Sequence, residues 1–115
     1  MATIKSYTDI SQSKKLAEIL PLESADMIYT IVNGYHTPFI RIETIKEMYE
    51  DDVLCWSLAA LLDVLPKIIN NETLFIETSA ALWHIGYRNI YTARVDNPVD
   101  ACYEMIIRLH ELNLL

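Results

Sequence analysis

The sequence predicts an α+β domain in which about four antiparallel strands, paired as two hairpins, carry three main helices on one face. Apolar residues recur at helical spacing in three segments that begin at capping residues or end at proline. Two segments between them are rich in β-branched and aromatic residues, which favour strands. Because no strand–helix–strand repeat forces a parallel sheet, the order α-ββ-α-ββ-α predicts one compact domain over residues 1–115.

The first helix is predicted within TDISQSKKLAEILP, residues 8–21. Thr8 or Asp9 can cap it, and Asp9 with Gln12 has the spacing of a capping box, in which each side chain bonds the other residue's backbone N–H. Pro21 ends the helix because its nitrogen cannot donate to the helical ladder. The apolar stripe of this helix consists of Leu16, Ile19 and Leu20.

The first hairpin is predicted around Asn33 and Gly34, because both residues tolerate the positive φ of a tight turn. Residues 27–32 and 35–42 form its two strands. Pro38 lies inside the second strand, where it cannot donate to a ladder, so this strand is expected to be an edge or to break there.

The segment ETIKEMYEDD, residues 43–52, fits a short helix or a loop equally well. Asp51 and Asp52 at its end suit the N-cap of the helix expected to follow, where the helix dipole favours negative charge. Residues 50–52 lack the spaced oxygens and the glycine of a calcium loop, so capping is preferred to cation binding.

The second helix is predicted over residues 53–65 and is the most apolar part of the chain. Between Trp56 and Leu65 only Ser57 and Asp63 are polar, and they form no coherent polar face. A helix that is apolar nearly all round must be covered nearly all round. If the rest of the chain cannot cover it, a second copy of the chain must, so the pattern favours self-association.

The second hairpin is predicted from strands at residues 74–78 and 82–88, joined by a turn at 79–81 that no strong turn dipeptide marks. Residues 89–95 can extend the pairing. Alternation in the second strand sets Trp83, Ile85 and Tyr87 against His84, Gly86 and Arg88. If Trp83 faces the core, His84 faces solvent or a partner.

The last helix has the clearest signals. Asn97 can cap it, Pro98 fits the first helical position, and Asp100 suits the positive end of the dipole. Its apolar stripe consists of Val99, Cys102, Met105, Ile106, Leu109 and Leu112, and its polar face of Asp100, Glu104, Arg108 and Glu111.

Composition and charge exclude several classes of protein. Of 115 residues, 52% are hydrophobic and 22% charged, which argues against wholesale disorder. No apolar run approaches the ~18 residues of a membrane span, and the N-terminal residues lack a secretion signal, so a cytoplasmic protein is expected. A net charge of −7 disfavours direct nucleic-acid binding, which depends on basic residues.

The two cysteines, Cys55 and Cys102, are expected to be free buried thiols because each lies in an apolar helical pattern. The sequence contains no CxxC or HxxxH spacing, so neither a metal nor another cofactor is predicted.

Three blocks of the sequence also carry a resemblance: SYTDISQSKKLAEILPLESADM, CWSLAALLDVLP and DNPVDACYEMIIRLHELNLL, roughly half of the chain. They resemble the fixed segments of a group of small uncharacterised proteins of gut anaerobic bacteria and their phages or mobile elements. In that group the segments between the blocks differ widely. The resemblance transfers no activity, cofactor or catalytic residue, and it implies an accessory protein of an intracellular setting.

The leading functional hypothesis is a non-catalytic interaction or accessory protein that forms a homodimer and presents a sheet surface to an unknown protein partner. Exposed tyrosines would give such a surface contact area together with hydrogen bonds, although packing within the sheets is the simpler explanation for tyrosines. The candidate interaction surface consists of Tyr35, His36, His84, Tyr87, Arg88 and Tyr91.

Two alternatives stay open. One is a small enzyme that uses Cys55, near a predicted helix N-terminus, or His84, although no local signature links either residue to a catalytic partner. The other is an acidic nucleic-acid mimic or an inhibitor of a DNA-handling enzyme, suggested by the charge and the mobile-element association. It predicts acids clustered on one exposed face.

Overall fold

A computed structural model describes residues 5–41, 50–92 and 94–115, and within these ranges the chain forms three α-helices and eight short strands. The α-helices are α1 (Ile10–Ala17), α2 (Leu58–Val64) and α3 (Pro98–Glu111), and a 3-10 turn spans Leu22–Ser24. The strands are β1 (Met27–Val32), β2 (Tyr35–Ile40), β3 (Val53–Cys55), β4 (Ile68–Ile69), β5 (Glu72–Thr73), β6 (Phe75–Ser79), β7 (Leu82–Tyr87) and β8 (Ile90–Tyr91).

The strands form three antiparallel sheets, with the orders β2-β1-β3, β4-β5 and β6-β7-β8. The α+β class and both hairpins are therefore confirmed, but the four-strand arrangement is incomplete. The additional strands have only two or three residues each, too few to show an alternating pattern. The proposed helix or loop at 43–49 lies outside the described residues.

The helices are distributed among these sheets and do not share one sheet face. Helix α1 contacts β3, α3 packs on β7, and α2 packs on α3. The buried core joins residues from all of these elements. No helix in the described part of the chain combines the length and the hydropathy needed to cross a bilayer.

The first half of the predicted second helix is wrong. Val53–Cys55 is strand β3, which pairs with β1, and α2 begins only at Leu58. Its N-cap is Ser57, whose hydroxyl accepts a hydrogen bond from the Ala60 N–H at 3.2 Å. The acids at 51 and 52 precede β3 and therefore do not cap this helix. A strand buried on both faces reads as a continuous apolar run, which periodicity cannot distinguish from a buried helix.

This correction explains the apolar stretch CWSLAALLDVLP. Its first residues, Cys55 and Trp56, are fully buried as the end of β3 and the connection to α2. In α2 itself Ala59 and Asp63 are exposed, so the helix does have a solvent-facing side. The original reason for expecting a second copy to cover this helix therefore disappears.

The capping box of α1 is confirmed. Asp9 Oδ1 accepts from the Gln12 N–H at 2.8 Å, and Gln12 Oε1 accepts from the Asp9 N–H at 3.2 Å. The α-helix ends at Ala17, earlier than predicted, but the chain continues in turns that bury Leu20 before Pro21.

The predicted cap of α3 is also confirmed, since the Asn97 side chain accepts from the Asp100 N–H and Pro98 takes the first helical position. Most of the predicted stripe is fully buried, but Leu112 is 42% exposed because it lies at the C-cap, beyond the last helical turn. The buried members are Val99, Cys102, Met105, Ile106 and Leu109.

Asp100 connects α3 to the N-terminal part of the chain. Its Oδ1 accepts from Lys5 Nζ at 2.7 Å and from Gln12 Nε2 at 2.8 Å, and its Oδ2 accepts from Asn97. Burial by itself raises the pKa of Asp100, but the hydrogen bonds from Lys5, Gln12 and Asn97 and the charge of Lys5 outweigh it, so the pKa is lowered. The sequence placed this residue on a plain solvent face.

Candidate functional site

The six residues of the predicted interaction surface lie on two different sheets. Tyr35 and His36 begin β2, in the first sheet. The other four lie in or beside β7 and β8, in the third sheet. The first hairpin is β1–β2 and the second hairpin is β6–β7.

Tyr87 does not belong to any surface, so the prediction is wrong for this residue. It is only 1% exposed, and its hydroxyl donates to the Pro66 carbonyl. Burial raises the pKa of Tyr87 to about 12, which keeps the phenol protonated. Its neighbour Arg88 is exposed, 3.9 Å from a Glu72 carboxylate oxygen.

His84 lies on the sheet face opposite Trp83 and Ile85, as alternation predicts, but it is not an open surface residue. Its side chain is only 14% exposed, because the rings of Phe75 and Tyr91 pack against it edge-on at 5.3 and 5.5 Å. Nδ1 of His84 lies 3.0 Å from Glu77 Oε1. These contacts form a small aromatic cluster that shields the imidazole.

Gly86 allows β8 to lie close to β7 in this cluster. A Cβ atom at position 86 would lie 2.7 Å from the Tyr91 Cα and closer still to the Ile90 carbonyl oxygen. Only glycine leaves room for that backbone approach. An isolated glycine inside a strand pattern was the available signal in the sequence.

The first hairpin exposes large apolar side chains on both of its faces. Residues 27–40 include no Asp, Glu, Lys or Arg, although the chain carries a net charge of −7. Tyr35 and Ile40 are 77% and 78% exposed. The other exposed members are Ile31, Val32 and Phe39. Sequence reasoning selected Tyr35 and missed the apolar residues, but the charge-free run of residues was a signal for them.

Pro38 restricts how the free edge of β2 can pair. The Arg41 N–H donates to the Asp26 carbonyl at 2.9 Å, which fixes the register of hydrogen-bonded pairs along β1–β2. Hydrogen-bonded and non-bonded pairs alternate in an antiparallel ladder, so Tyr29 and Pro38 form a non-bonded pair. The Pro38 nitrogen therefore faces the outer edge, as the sequence predicted for an edge strand, and removes a donor there.

His36, on the same strand, is exposed and lines a cleft. Its Nε2 lies 3.2 Å from the Asp51 carbonyl oxygen, and its ring packs edge-on against Tyr29. The cleft, of about 410 Å³, is lined in part by Lys14, His36 and Asp51. In the described residues no group of three or more His, Cys, Asp or Glu side chains is placed to hold a metal ion.

A second, smaller crevice lies between the third sheet and the helices. Its volume is about 70 Å³ and its exposed lining is entirely apolar. The residues that line it include Leu58, Leu62, Ile76, Trp83, Pro98 and Cys102. Sequence reasoning did not find this crevice because it depends on three elements that are distant in sequence.

The thiols of Cys55 and Cys102 are buried and free, as predicted. Burial, with a smaller contribution from the charge of Asp26, raises the pKa of Cys55 to about 12, and burial raises that of Cys102 to about 12. A nucleophilic cysteine needs a thiolate near neutral pH. This geometry therefore does not favour the enzyme alternative based on Cys55.

The acidic residues of the described part of the chain are spread over the two caps of α1, the 3-10 turn, the segment before β3, α2, β5, β6 and α3, and four of them lie close to a lysine or arginine. Ion pairs join Lys5 to Asp9 and Asp100, Lys15 to Glu18, and Arg88 to Glu72. This distribution does not favour an acidic mimic of nucleic acid, which needs uncompensated acids on one face.

Comparisons with family models, with curated proteins and with solved structures found no match to this chain.

Proposed function

We propose that the protein is a small non-catalytic interaction protein that self-associates weakly through the first hairpin. The observation that carries this proposal is the combination of exposed apolar side chains and absent charge over residues 27–40. Clustered exposed apolar residues on a small protein are typical of interaction sites.

The absence of charged side chains from residues 27–40 favours a second copy of the chain as the partner that binds this surface. Two copies that each carry −7 repel one another wherever their acidic surfaces meet. Residues 27–40 add no carboxylate of their own to such a contact, and the Asp52 carboxylate beside them accepts a hydrogen bond from Thr30 Oγ1 at 2.6 Å.

The size of the surface predicts a weak association. With about 200 Å² for a large side chain, the exposed fractions of the five large hydrophobic residues exposed on the first hairpin amount to roughly 570 Å² per protomer over both faces. A stable interface buries ~800 Å² per partner, so a concentration-dependent dimer is expected. Because Pro38 interrupts the outer edge of β2, the contact is through side chains and not through a continuous intermolecular ladder.

The biological setting remains that of the group with which the three sequence blocks share a resemblance. We propose an accessory role inside the cell, in which the fixed helical blocks build the body and the hairpins carry the contact surfaces. The burial of Cys102, Met105 and Ile106 in α3 supports this division, since these residues are committed to the core.

Sedimentation equilibrium over a range of protein concentration tests the proposal. The average mass of the wild type should rise with concentration, and the variant Ile40→Glu should remain monomeric because it places like charges in the contact. Ile68→Glu is the matched control, since Ile68 is also an isoleucine, is 63% exposed and lies on β4, away from the first hairpin.

A wild type that stays monomeric at every concentration would contradict the proposal. Equal loss of association in the Ile40→Glu and Ile68→Glu variants would also contradict it, because the effect would then not be specific to the first hairpin.

A further inference from the structure

The outer edge of β6 differs from that of β2 because it contains no proline. β6 lies at the end of the order β6-β7-β8, and within the described residues no strand pairs with its outer side. The two-residue turn makes Ser79 and Leu82 a hydrogen-bonded pair, and the register extends this to Glu77 with His84. The N–H and C=O groups of Ile76 and Thr78 therefore point away from β7.

The two faces beside this edge have different chemistry. On the face that packs towards the helices, half-exposed Ile76 borders the apolar crevice. At about 70 Å³ it is roughly half the size of a ~150 Å³ apolar cavity that holds benzene, so it can accept a small branched aliphatic group. On the opposite face the Glu77 carboxylate is about half exposed and can accept hydrogen bonds beyond its contact with His84.

We propose that the β6 edge binds an extended segment of a partner protein in which aliphatic and basic side chains alternate. The added strand would bond to the backbone groups of Ile76 and Thr78. Its aliphatic side chains would lie on the crevice side, beside Ile76, and its basic side chains would face Glu77. Main-chain bonds then give affinity and the two faces give specificity, which is the usual division in strand addition.

A second copy of β6 fits this edge poorly in each antiparallel register. Pairing Ile76 with Thr78 of the other copy places the two Glu77 carboxylates opposite each other, which is destabilising. Pairing Ile76 with itself brings Thr78 opposite Leu74, whose N–H already donates to the Lys67 carbonyl at 2.9 Å. Pairing Thr78 with itself requires Ala80, which has a φ of 52° in the turn, to act as a strand residue.

Titration of the isotope-labelled full chain with a short capped peptide of alternating valine and lysine tests the proposal. The amide signals of Ile76 and Thr78 should shift, and binding should weaken at high salt because the Glu77 contact is exposed. The variant Thr78→Pro should weaken binding about tenfold or more by removing the outward donor, whereas Thr78→Val, which keeps the N–H, should not.

Charge reversal gives a second test that does not depend on proline being tolerated. Glu77→Lys should weaken binding of the valine–lysine peptide and strengthen binding of a valine–glutamate peptide. Equal binding of both peptides to the wild type, or unchanged binding by the Thr78→Pro and Glu77→Lys variants, would overturn the proposal.

Concentration-dependent shifts of Ile76 and Thr78 without peptide would also overturn it, because they would identify a second copy as the occupant. The experiment is independent of self-association through the first hairpin, since the Ile40→Glu variant should bind the valine–lysine peptide as the wild type does.

Discussion

Both hairpins of this protein have a two-residue turn with positive φ values, but different residue types adopt these values in the two turns. Asn33 and Gly34 take φ values of 53° and 84°, which both residue types tolerate. Ala80 and Ala81 take φ values of 52° and 65°, a region that costs an L-residue with a Cβ about 1–2 kcal/mol. The first turn is favoured locally, whereas the second must be held by the strands that flank it.

The strand that follows each turn, β2 in the first hairpin and β7 in the second, shows the opposite distribution of tertiary support. In the second hairpin Ile85 and Tyr87 are buried against the helices, and His84 is covered by an aromatic cluster. In the first hairpin much of β2 is exposed, including Tyr35 and Ile40. The difference teaches that a turn followed by an exposed strand needs favourable residues, while a turn followed by a packed strand can carry unfavourable ones.

The two strand-associated glycines should give the largest contrast. Gly86→Ala should lower the free energy of unfolding by about 3 kcal/mol, because the new methyl group meets backbone atoms of β8 that cannot move aside. Gly34→Ala should cost only about 1 kcal/mol, because its Cβ would meet open space and only the positive φ is unfavourable. Urea denaturation measures both, and equal losses would contradict this account of close approach.

The two histidines should give the next largest contrast. His84→Ala should cost about 1.5 kcal/mol, because it removes two edge-on ring contacts and a partly buried side chain. His36→Ala should cost about 0.5 kcal/mol or less, as is typical of an exposed position. Thermal unfolding at neutral pH compares the variants. A larger loss of stability for His36→Ala would contradict the conclusion that His84 is the more tightly packed of the two histidines.

Exchange of the turn residues should have a smaller effect, which raises stability in the second hairpin and lowers it in the first. Ala80→Asn combined with Ala81→Gly should raise the free energy of unfolding by about 1 kcal/mol, because it relieves the positive-φ cost in the second hairpin. Asn33→Ala should lower it by about 1 kcal/mol. Chemical denaturation of the variants decides this, and no gain from the double substitution would show that the alanine turn carries no cost.

The edge proline should have the smallest effect on stability. Pro38→Thr should change the free energy of unfolding by about 0.5 kcal/mol or less, because the restored N–H faces away from β1. It should nevertheless increase light scattering in concentrated solution, since an unblocked edge can pair with another strand. Unchanged scattering together with a large loss of stability would show that position 38 is part of the ladder.

The sequence predicted well the features that depend on local chemistry. The Asp9–Gln12 capping box, the Asn33-Gly34 turn and the Asn97-Pro98 cap are each decided by a few neighbouring residues. The register of the first hairpin also followed from its two-residue turn. In the second hairpin the predicted turn at 79–81 is wrong by one residue, because Ser79 pairs with Leu82 as the last residue of β6 and only Ala80 and Ala81 form the turn.

The features that depend on long-range contacts could not be predicted in this way. Val53–Cys55 forms a strand only because β1 lies beside it, and an apolar run of this length suits a helix equally well. The apolar crevice is assembled from α2, the β6–β7 hairpin and α3, so no single segment of sequence reveals it. The burial of Tyr87 similarly depends on the distant Pro66 carbonyl.

The contacts of Asp100 set a limit on acid tolerance. Its pKa is held below the ordinary value of 3.8, so its carboxylate adds stability at pH values above 3.8, and that stability disappears as the pH falls through the lowered pKa. Urea titrations over the strongly acidic range should show this decline in the wild type and a flatter profile in Asp100→Asn. Protonation of Asp100 would then loosen the anchoring of the segment at Lys5 and Gln12 to the last helix.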